Sequence, residues 1–241
     1  MVITRKSYQE KRLAFVKKFL DPANLKGLEI GACDLPTVQE SVCLFADFRT
    51  AEEMSTLWEL PRETVMPVEF IVNRKRRLFD QIEEKFDYVI ACHVIEHVAN
   101  PIGYIQELAG LLKPNGLIFL AIPDKRCTSD IDRPSTTLEH LLCDYYQDSR
   151  YPALEHILEM TRFCLPGGRE VSGASFEAQY EAAVANHKSG EADAHCHVWT
   201  DGEYFEQMRL LVDGGILKIQ ITSAEATPPG FNEFMIALRA A

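Results

Sequence analysis

The sequence lacks the paired cysteines that disulfide frameworks and structural zinc sites need. Its seven cysteines are odd in number and scattered along the chain, and no two of them form a C-x-x-C pair. Because such pairs mark disulfide-rich secreted domains and zinc-binding modules, we expect neither disulfides nor a structural zinc site. A reducing cytoplasm is therefore the predicted location.

Long apolar runs are missing as well. No stretch approaches the roughly 20 apolar residues of a membrane-spanning helix. The N-terminal residues are charged and amphipathic, without the apolar core of a signal peptide. We expect no membrane span and no processing of the chain.

Basic residues are fewer than acidic ones. The chain has 25 Lys and Arg against 36 Asp and Glu, a net charge of -11, and a pI near 5.1. Nucleic acids and anionic membrane surfaces attract basic faces, so neither is an expected partner. A small molecule or a neutral glycan fits this balance better, and the pattern leaves the oligomeric state open.

Short apolar segments alternate with helical stretches along most of the 241 residues. Such alternation is typical of parallel sheets with crossover helices. A Pro-Gly turn at residues 227–230 joins the last two segments as a hairpin. The sequence thus predicts an α/β fold: a Rossmann-like, doubly wound sheet of seven mostly parallel strands with a C-terminal antiparallel hairpin. The predicted strands are 27–30, 42–46, 68–72, 88–92, 117–122, 217–222 and 233–238, with helices at 7–20, 101–112 and 200–212.

The alternation stops after the fifth strand. About seventy residues follow that read as helices at 136–146, 153–163 and 176–186, separated by Pro and Gly breaks that include residues 165–168. This is too long for a plain connection. Substrates of open α/β sheets bind at the carboxyl ends of the strands. We therefore predict a core of residues 1–126 and 198–241 and a helical cap insertion, 127–197, that forms the substrate site.

The stretch "LEIGACDLP" joins the first strand to a turn but holds a single glycine, Gly31. A dinucleotide-binding loop needs further glycines where Cys33 and Leu35 stand, because its backbone must approach a pyrophosphate closely. A ligand without phosphate at this point is better tolerated. An ordinary strand-to-helix turn is the alternative.

Two further sets of polar side chains follow strands. Asp47 ends the second strand at the spacing of a carboxylate that binds ribose hydroxyls, or it caps the next helix. His93, Glu96 and His97 follow the fourth strand, where the cleft is expected. Helix capping or core packing is the alternative role for both histidines. His93 and His97 form an H-x-x-x-H pair, which is a weak metal-binding motif when no third ligand is placed beside it.

Together, "LEIGACDLP", "FADFR", "FDYVIACHVIEHVANPIGYIQELAGLLKPNGLIFLAIPDKR" and "TPPGFNEFMIALR" resemble class I S-adenosylmethionine-dependent methyltransferases, specifically the type-11-like branch of bacterial glycan-associated enzymes. The resemblance covers most of the chain outside residues 127–190. It implies S-adenosylmethionine as cofactor. Because this cofactor has no phosphates, one tight turn with small side chains suffices to hold its methionine moiety.

The resemblance also implies roles for individual positions. Asp47 matches the acid at the ribose hydroxyls, and Asn73 falls where the family often has an Asp at the adenine. Cys92 and His93 match residues that line the methionine and methyl end of the cofactor. His97 matches a histidine that recurs in the family and often has a structural role. The cofactor-binding residues predicted in this way are Glu29, Gly31, Ala32, Asp34, Asp47, Phe48, Asn73, Cys92 and His93.

Methyl transfer to a hydroxyl group benefits from a general base, and histidine is the usual one. His93 at the strand end and His195 and His197 in "DAHCHVWT" are the candidates, with structural roles as the alternative for the last two. A metal held by these three histidines is conceivable, but we expect none. Acceptor-site residues are predicted at Asp124, Lys125, Arg126 and Arg133.

The leading hypothesis is methyl transfer to a hydroxyl of a sugar or another small polar molecule, such as a polysaccharide precursor. A catalytically silent methyltransferase fold that serves a biosynthetic complex is the alternative. An NAD-type oxidoreductase is disfavoured by the missing glycines and by the C-terminal hairpin.

Overall fold

A seven-stranded sheet organises the residues that the structure, a computed structural model, describes: 3–39, 42–163 and 175–240. The strand order is β3-β2-β1-β4-β5-β7-β6. Strands β1 to β5 pair in parallel, and β7 runs antiparallel to both of its neighbours. This confirms the predicted doubly wound, mostly parallel sheet with its C-terminal hairpin. The strands are β1 Gly27–Ile30, β2 Cys43–Asp47, β3 Phe70–Ile71, β4 Phe86–Cys92, β5 Leu112–Pro123, β6 Ile219–Glu225 and β7 Glu233–Ala240.

Helices cover both faces of this sheet. The α-helices of the described residues are α1 Arg5–Val16, α2 Ala51–Leu57, α3 Pro101–Gly110, α4 Leu138–Tyr146, α5 Leu154–Phe163, α6 Phe176–Ser189 and α7 Asp201–Asp213. Apolar side chains of α3 and α7 pack on one face, against Leu28, Val89 and Ile118. Those of α1 pack on the other, against Tyr88 and Phe119. Two covered faces explain why the central strands are continuous apolar runs.

Helix α3 follows its sequence signals at the start and ends earlier than predicted. The Asn100 side chain accepts a hydrogen bond from Gly103 N (2.8 Å), and Pro101 occupies the first turn. The helix ends at Gly110 instead of residue 112, and β5 begins at Leu112 instead of residue 117. Residues 113–116 lie in an irregularity of the pairing, since Phe86 pairs with Leu112 and Tyr88 with Leu117.

Other element boundaries also differ from the predictions. Helix α1 begins earlier, where Thr4 caps it, and ends at Val16 instead of residue 20. Strand β3 is reduced to Phe70–Ile71 because it lies at the edge of the sheet, with Ile71 60% exposed. The hairpin strands extend to Glu225 and Ala240.

The segment between β5 and α7 leaves and rejoins the sheet at adjacent positions. Asp124 and Trp199 form a parallel bridge, and Lys125 N donates a hydrogen bond to Trp199 O (2.9 Å). Helices α4, α5 and α6 lie between these two points. The predicted break at residues 165–168 lies outside the described residues. Within the part of the chain that is described, no helix is long and apolar enough to cross a membrane.

We expect Leu108→Ala to lower the free energy of unfolding by about 2–5 kcal/mol, because it leaves a cavity under α3. Leu108 is fully buried, whereas Leu57 on α2 is 51% exposed. Leu57→Ala is therefore the matched control and should change stability by less than about 0.5 kcal/mol. Urea unfolding measures both, and equal losses would contradict this packing.

Candidate functional site

A cavity of about 590 Å³ opens at the carboxyl ends of the parallel strands. Gly31 follows β1, Asp47 ends β2, Asn73 follows β3 and His93 follows β4, and all four line this cavity. Open α/β sheets bind ligands at this edge, and the volume suits a cofactor-sized ligand. The wall also includes Asp34 and Phe48, so six of the nine predicted cofactor-binding residues lie together.

The turn after β1 brings the backbone close to the cavity. Gly31 has φ +73°, and a Cβ there would lie 2.7 Å from Val94 Cγ2. A side chain at this position would be strained and would clash. Glycine therefore occupies a point of the loop where a side chain does not fit. Asp34, further along, is held by an ion pair with Arg5.

Three predicted residues support this turn from behind. The buried Glu29 carboxylate accepts hydrogen bonds from Thr37 N (2.8 Å) and Val38 N (3.3 Å), and burial raises its pKa to about 7. Ala32 and Cys92 pack with the core on the α1 face. Burial raises the pKa of the Cys92 thiol to about 12. These positions shape the loop rather than contribute side chains to the cavity wall.

Asp47 presents its carboxylate at the end of β2. Its Oδ1 accepts a hydrogen bond from Arg49 N (3.0 Å), and burial raises its pKa. The next helix is capped by Thr50, so the alternative role of Asp47 as a helix cap was wrong. The Arg49 and Arg74 guanidinium groups lie 4.4 and 4.2 Å from the ring centroid of Phe48. These cation–π contacts hold the aromatic ring beside Asp47.

Asn73 has its side chain engaged in a local turn. Its Oδ1 accepts a hydrogen bond from Lys75 N (2.8 Å), and its backbone N donates to Gln81 Oε1 (2.7 Å). The backbone at this point is therefore well fixed. The side-chain amide remains at the cavity wall.

His93 lies at the floor of the cavity in an uncommon backbone conformation. Its φ is +54°, and its backbone N donates to Ala121 O (2.9 Å). Its Nε2 is 2.9 Å from Glu233 Oε2 on β7, and the Arg12 guanidinium also donates to that buried carboxylate. Burial alone would raise the pKa of the Glu233 carboxyl group. The hydrogen bonds from His93 and Arg12 have the larger combined effect, so the pKa of Glu233 is lowered. An ionised Glu233 therefore orients the imidazole.

The other two predicted catalytic histidines lie elsewhere. His195 sits behind the cavity-lining His97, with ring centroids 4.6 Å apart, and its Nδ1 is 2.6 Å from Asp130 Oδ2. His197 is fully buried beside His140 and His156. The structure thus does not bring His93, His195 and His197 together as one metal-binding set.

The predicted acceptor-site residues hold the base of the insertion. Asp124 is buried and accepts hydrogen bonds from Arg126 and from Thr227 Oγ1 (2.7 Å). Arg126 also pairs with Asp201, and Lys125 bonds to Trp199 through its backbone. Arg133 is buried in ion pairs with Asp130 (3.0 Å) and Glu159 (3.1 Å). These contacts give all four residues structural partners away from the cavity wall.

Several residues of the wall carried no recognised signal in the sequence. The aromatic side chains of Trp58, Tyr104 and Tyr151 line the cavity, and so do the acids Glu107 and Asp193. Glu233 was also missed, although a lone acid at the start of the apolar strand "EFMIAL" is a usable signal for a buried partner.

Comparisons with known proteins agree on one class. The family described as "Methyltransferase domain" matches residues 8–183. A ubiquinone biosynthesis O-methyltransferase of Xanthomonas axonopodis pv. citri is 30% identical over 115 residues, 46% of this chain and 48% of that protein. The protein of the same name from Parvibaculum lavamentivorans is 45% identical over 38 residues, 16% of this chain and 15% of its own. The chain spans about half the length, or less, of these curated relatives.

A solved structure supports the same fold. The plantazolicin methyltransferase BpumL, in complex with a monoazolic desmethylPZN analog and SAH, superposes with a TM-score of 0.50 at 11% sequence identity. The alignment covers 98% of this chain and 84% of that one. At this identity the likeness concerns the fold alone.

We expect Gly31→Ala to lower the free energy of unfolding by about 1–3 kcal/mol, because a Cβ is strained at positive φ and meets Val94. Gly202→Ala on α7 is the control, since a Cβ there meets nothing within 4 Å. It should leave stability unchanged or raise it by up to about 1 kcal/mol. Urea unfolding with equal results for both variants would contradict the tight turn.

Proposed function

The chain belongs to the family of S-adenosylmethionine-dependent methyltransferase domains, and we propose that it transfers the sulfonium methyl group to a hydroxyl group of a small polar acceptor. The observation that carries the proposal is the meeting of Gly31, Asp47 and His93 in one cavity at the strand ends. Each of them supplies something that this reaction needs.

The proposed cofactor site is formed by residues at the ends of β1 and β2. The bare backbone at Gly31 leaves room for the methionine moiety, and the Asp47 carboxylate is in position to accept hydrogen bonds from ribose hydroxyls. A sulfonium cofactor has no phosphate groups, so a loop with one glycine is sufficient. Phe48 and Asn73 on the same wall are the proposed neighbours of the adenine.

The chemical step is an in-line displacement. The acceptor oxygen attacks the methyl carbon, the carbon–sulfur bond breaks, and its electron pair stays on sulfur, which gives S-adenosylhomocysteine. The acceptor proton passes to His93, which we propose as the general base, and Glu233 stabilises the imidazolium that results. Alignment and exclusion of water supply the rest of the acceleration.

The character of the cavity wall supports a polar acceptor. Arginine side chains at positions 74, 76 and 150 and the ring of Tyr151 line the cavity and make its wall partly polar and aromatic. The O-methyltransferase names of the curated relatives support oxygen as the atom that accepts the methyl group. A sugar hydroxyl, predicted from the sequence, remains a prediction within this class, as does a cytoplasmic location.

We expect Asp47→Ala to weaken S-adenosylmethionine binding by about 1–3 kcal/mol, because the ribose hydroxyls lose their partner. Calorimetric titration measures the change. Asp213→Ala, at the exposed end of α7, is the control and should bind like the parent. Failure of the parent chain to bind the cofactor at millimolar concentration would refute the proposal, and tight binding without turnover would favour the silent binding domain.

We expect His93→Gln to lower turnover by about 10²–10⁴-fold while cofactor affinity changes little, because the general base is lost. Release of S-adenosylhomocysteine is measured with a panel of sugar and phenolic hydroxyl compounds. His195→Gln serves as the comparison, since His195 lies behind the cavity wall. A larger loss in His195→Gln than in His93→Gln would reassign the base.

A further inference from the structure

A second group of convergent side chains lies in the cap, outside the cofactor cavity. We propose that His140, Asp144, His156 and His197 bind one divalent transition-metal ion, with Zn²⁺ as the best fit, and that the ion ties the cap together. The inference does not rest on the proposed methyl transfer. It departs from the expectation that the chain holds no metal.

The four ligand atoms have the separations of a metal site. Asp144 Oδ2 is 3.1 Å from His140 Nε2, 3.4 Å from His156 Nε2 and 3.7 Å from His197 Nε2. His140 Nε2 and His156 Nε2 are 2.8 Å apart, and one atom from each of the four side chains falls within 4.8 Å of all the others. Tetrahedral zinc with bonds of 2.0–2.1 Å separates its ligands by about 3.3 Å. The observed distances bracket this value.

Hydrogen bonds do not fully account for the convergence. His140 Nε2 lies 3.1 Å from the buried Asp144 Oδ2, a charged contact when that imidazole is protonated, but neither Asp144 Oδ2 nor His197 Nδ1 makes a hydrogen bond of good geometry among the described residues. One proton shared between His140 and His156 would satisfy that pair and leave the carboxylate oxygen unpaired. A buried, unpaired carboxylate oxygen among imidazole nitrogens is costly without a cation.

Three separate segments supply the ligands. His140 and Asp144 are four residues apart on α4, so their side chains share one helical face. His156 comes from the first part of α5. His197 comes from the return segment, where the backbone N–H groups of Cys196 and His197 donate to Glu96 O (2.6 and 3.2 Å). An ion at this point would join two cap helices to the segment that leads back to the sheet.

A hydrogen bond from Ser149 supports the carboxylate ligand. Asp144 Oδ1 accepts a hydrogen bond from Ser149 Oγ (3.2 Å), and Ser149 lies on the wall of the cofactor cavity. Partners of this kind orient metal ligands and are part of most sites. The ion would therefore also fix the cap side of the cofactor cavity.

Metal binding requires two local adjustments. Each imidazole must present an unprotonated Nε2 and carry its proton at Nδ1. For His156 this replaces the contact in which Ala153 N donates to Nδ1 (3.2 Å), and for His197 it replaces the long contact of Nε2 with Ala99 O (3.4 Å). These changes also break the contact between His140 Nε2 and His156 Nε2, which must separate from 2.8 Å to about 3.3 Å.

The ligand set selects the type of ion and its role. Three imidazoles and one carboxylate favour zinc and similar transition metals over Mg²⁺ or Ca²⁺, which prefer oxygen ligands. Four protein ligands fill a tetrahedral shell, as in structural sites. The side chain of His140 is 28% exposed and offers a route of entry.

The test begins with the parent chain, purified, stripped with a chelator and titrated with ZnCl₂ or CoCl₂. We expect one zinc per chain, a higher melting temperature on zinc addition, and the visible absorption of tetrahedral Co²⁺. A parent chain that retains less than about a tenth of an equivalent of zinc and gives no Co²⁺ absorption overturns the proposal.

Variants then assign the ligands. His156→Gln and Asp144→Asn should weaken zinc binding by at least about 100-fold, because each removes one of four ligands. His187→Gln, a histidine on α6 of the same cap, should bind zinc like the parent. His195→Gln distinguishes the neighbouring group Glu96, His97 and His195. Zinc lost in His195→Gln and retained in His156→Gln would overturn the assignment. If a ligand variant does not fold, the Co²⁺ spectrum of the parent chain still shows whether a tetrahedral metal site is present.

Discussion

The buried ion pair between Arg12 and Glu233 joins parts of the chain that are 221 positions apart. It fastens α1 to β7, and the same carboxylate orients His93 at the end of β4. Removing one partner of such a pair leaves an uncompensated buried charge, at a cost of about 3–5 kcal/mol. Helix α1, strand β7 and the His93 side chain of the cavity thus share one electrostatic constraint.

Much of the sheet and the cavity residues at the strand ends could be predicted from the sequence, because the signals for both are local. Buried parallel strands appear as apolar runs, and the residue after such a run lies at the ligand-binding edge. Gly31, Asp47 and His93 were found by this rule. Helix α3, predicted at 101–112 from its apolar side chains, lies at Pro101–Gly110.

The remaining contacts depend on segments that only the tertiary fold brings together. Glu233 gave no sign that it would face His93, and Asp144 and the three imidazoles near its Oδ2 come from three segments of the chain. The expectation of no metal site rested on the cysteine spacing and on the histidines at positions 93, 97, 195 and 197, so His140 and His156 were not considered as ligands. Lys125 and Arg126 were assigned to an acceptor by position, yet neither lines the cavity, and the Arg126 guanidinium pairs with Asp124 and Asp201 at the base of the insertion.

The place of β7 between β5 and β6 has a consequence for biosynthesis. This strand is the last of the seven to leave the ribosome, yet it supplies an interior position of the sheet and the Glu233 carboxylate. Until residues 233–240 emerge, β5 keeps an unpaired edge and α1 lacks its charged partner. Such non-local pairing is slow and exposes apolar surface during folding. The sheet therefore cannot be completed, and His93 lacks its Glu233 partner, until β7 has been synthesised and inserted between β5 and β6.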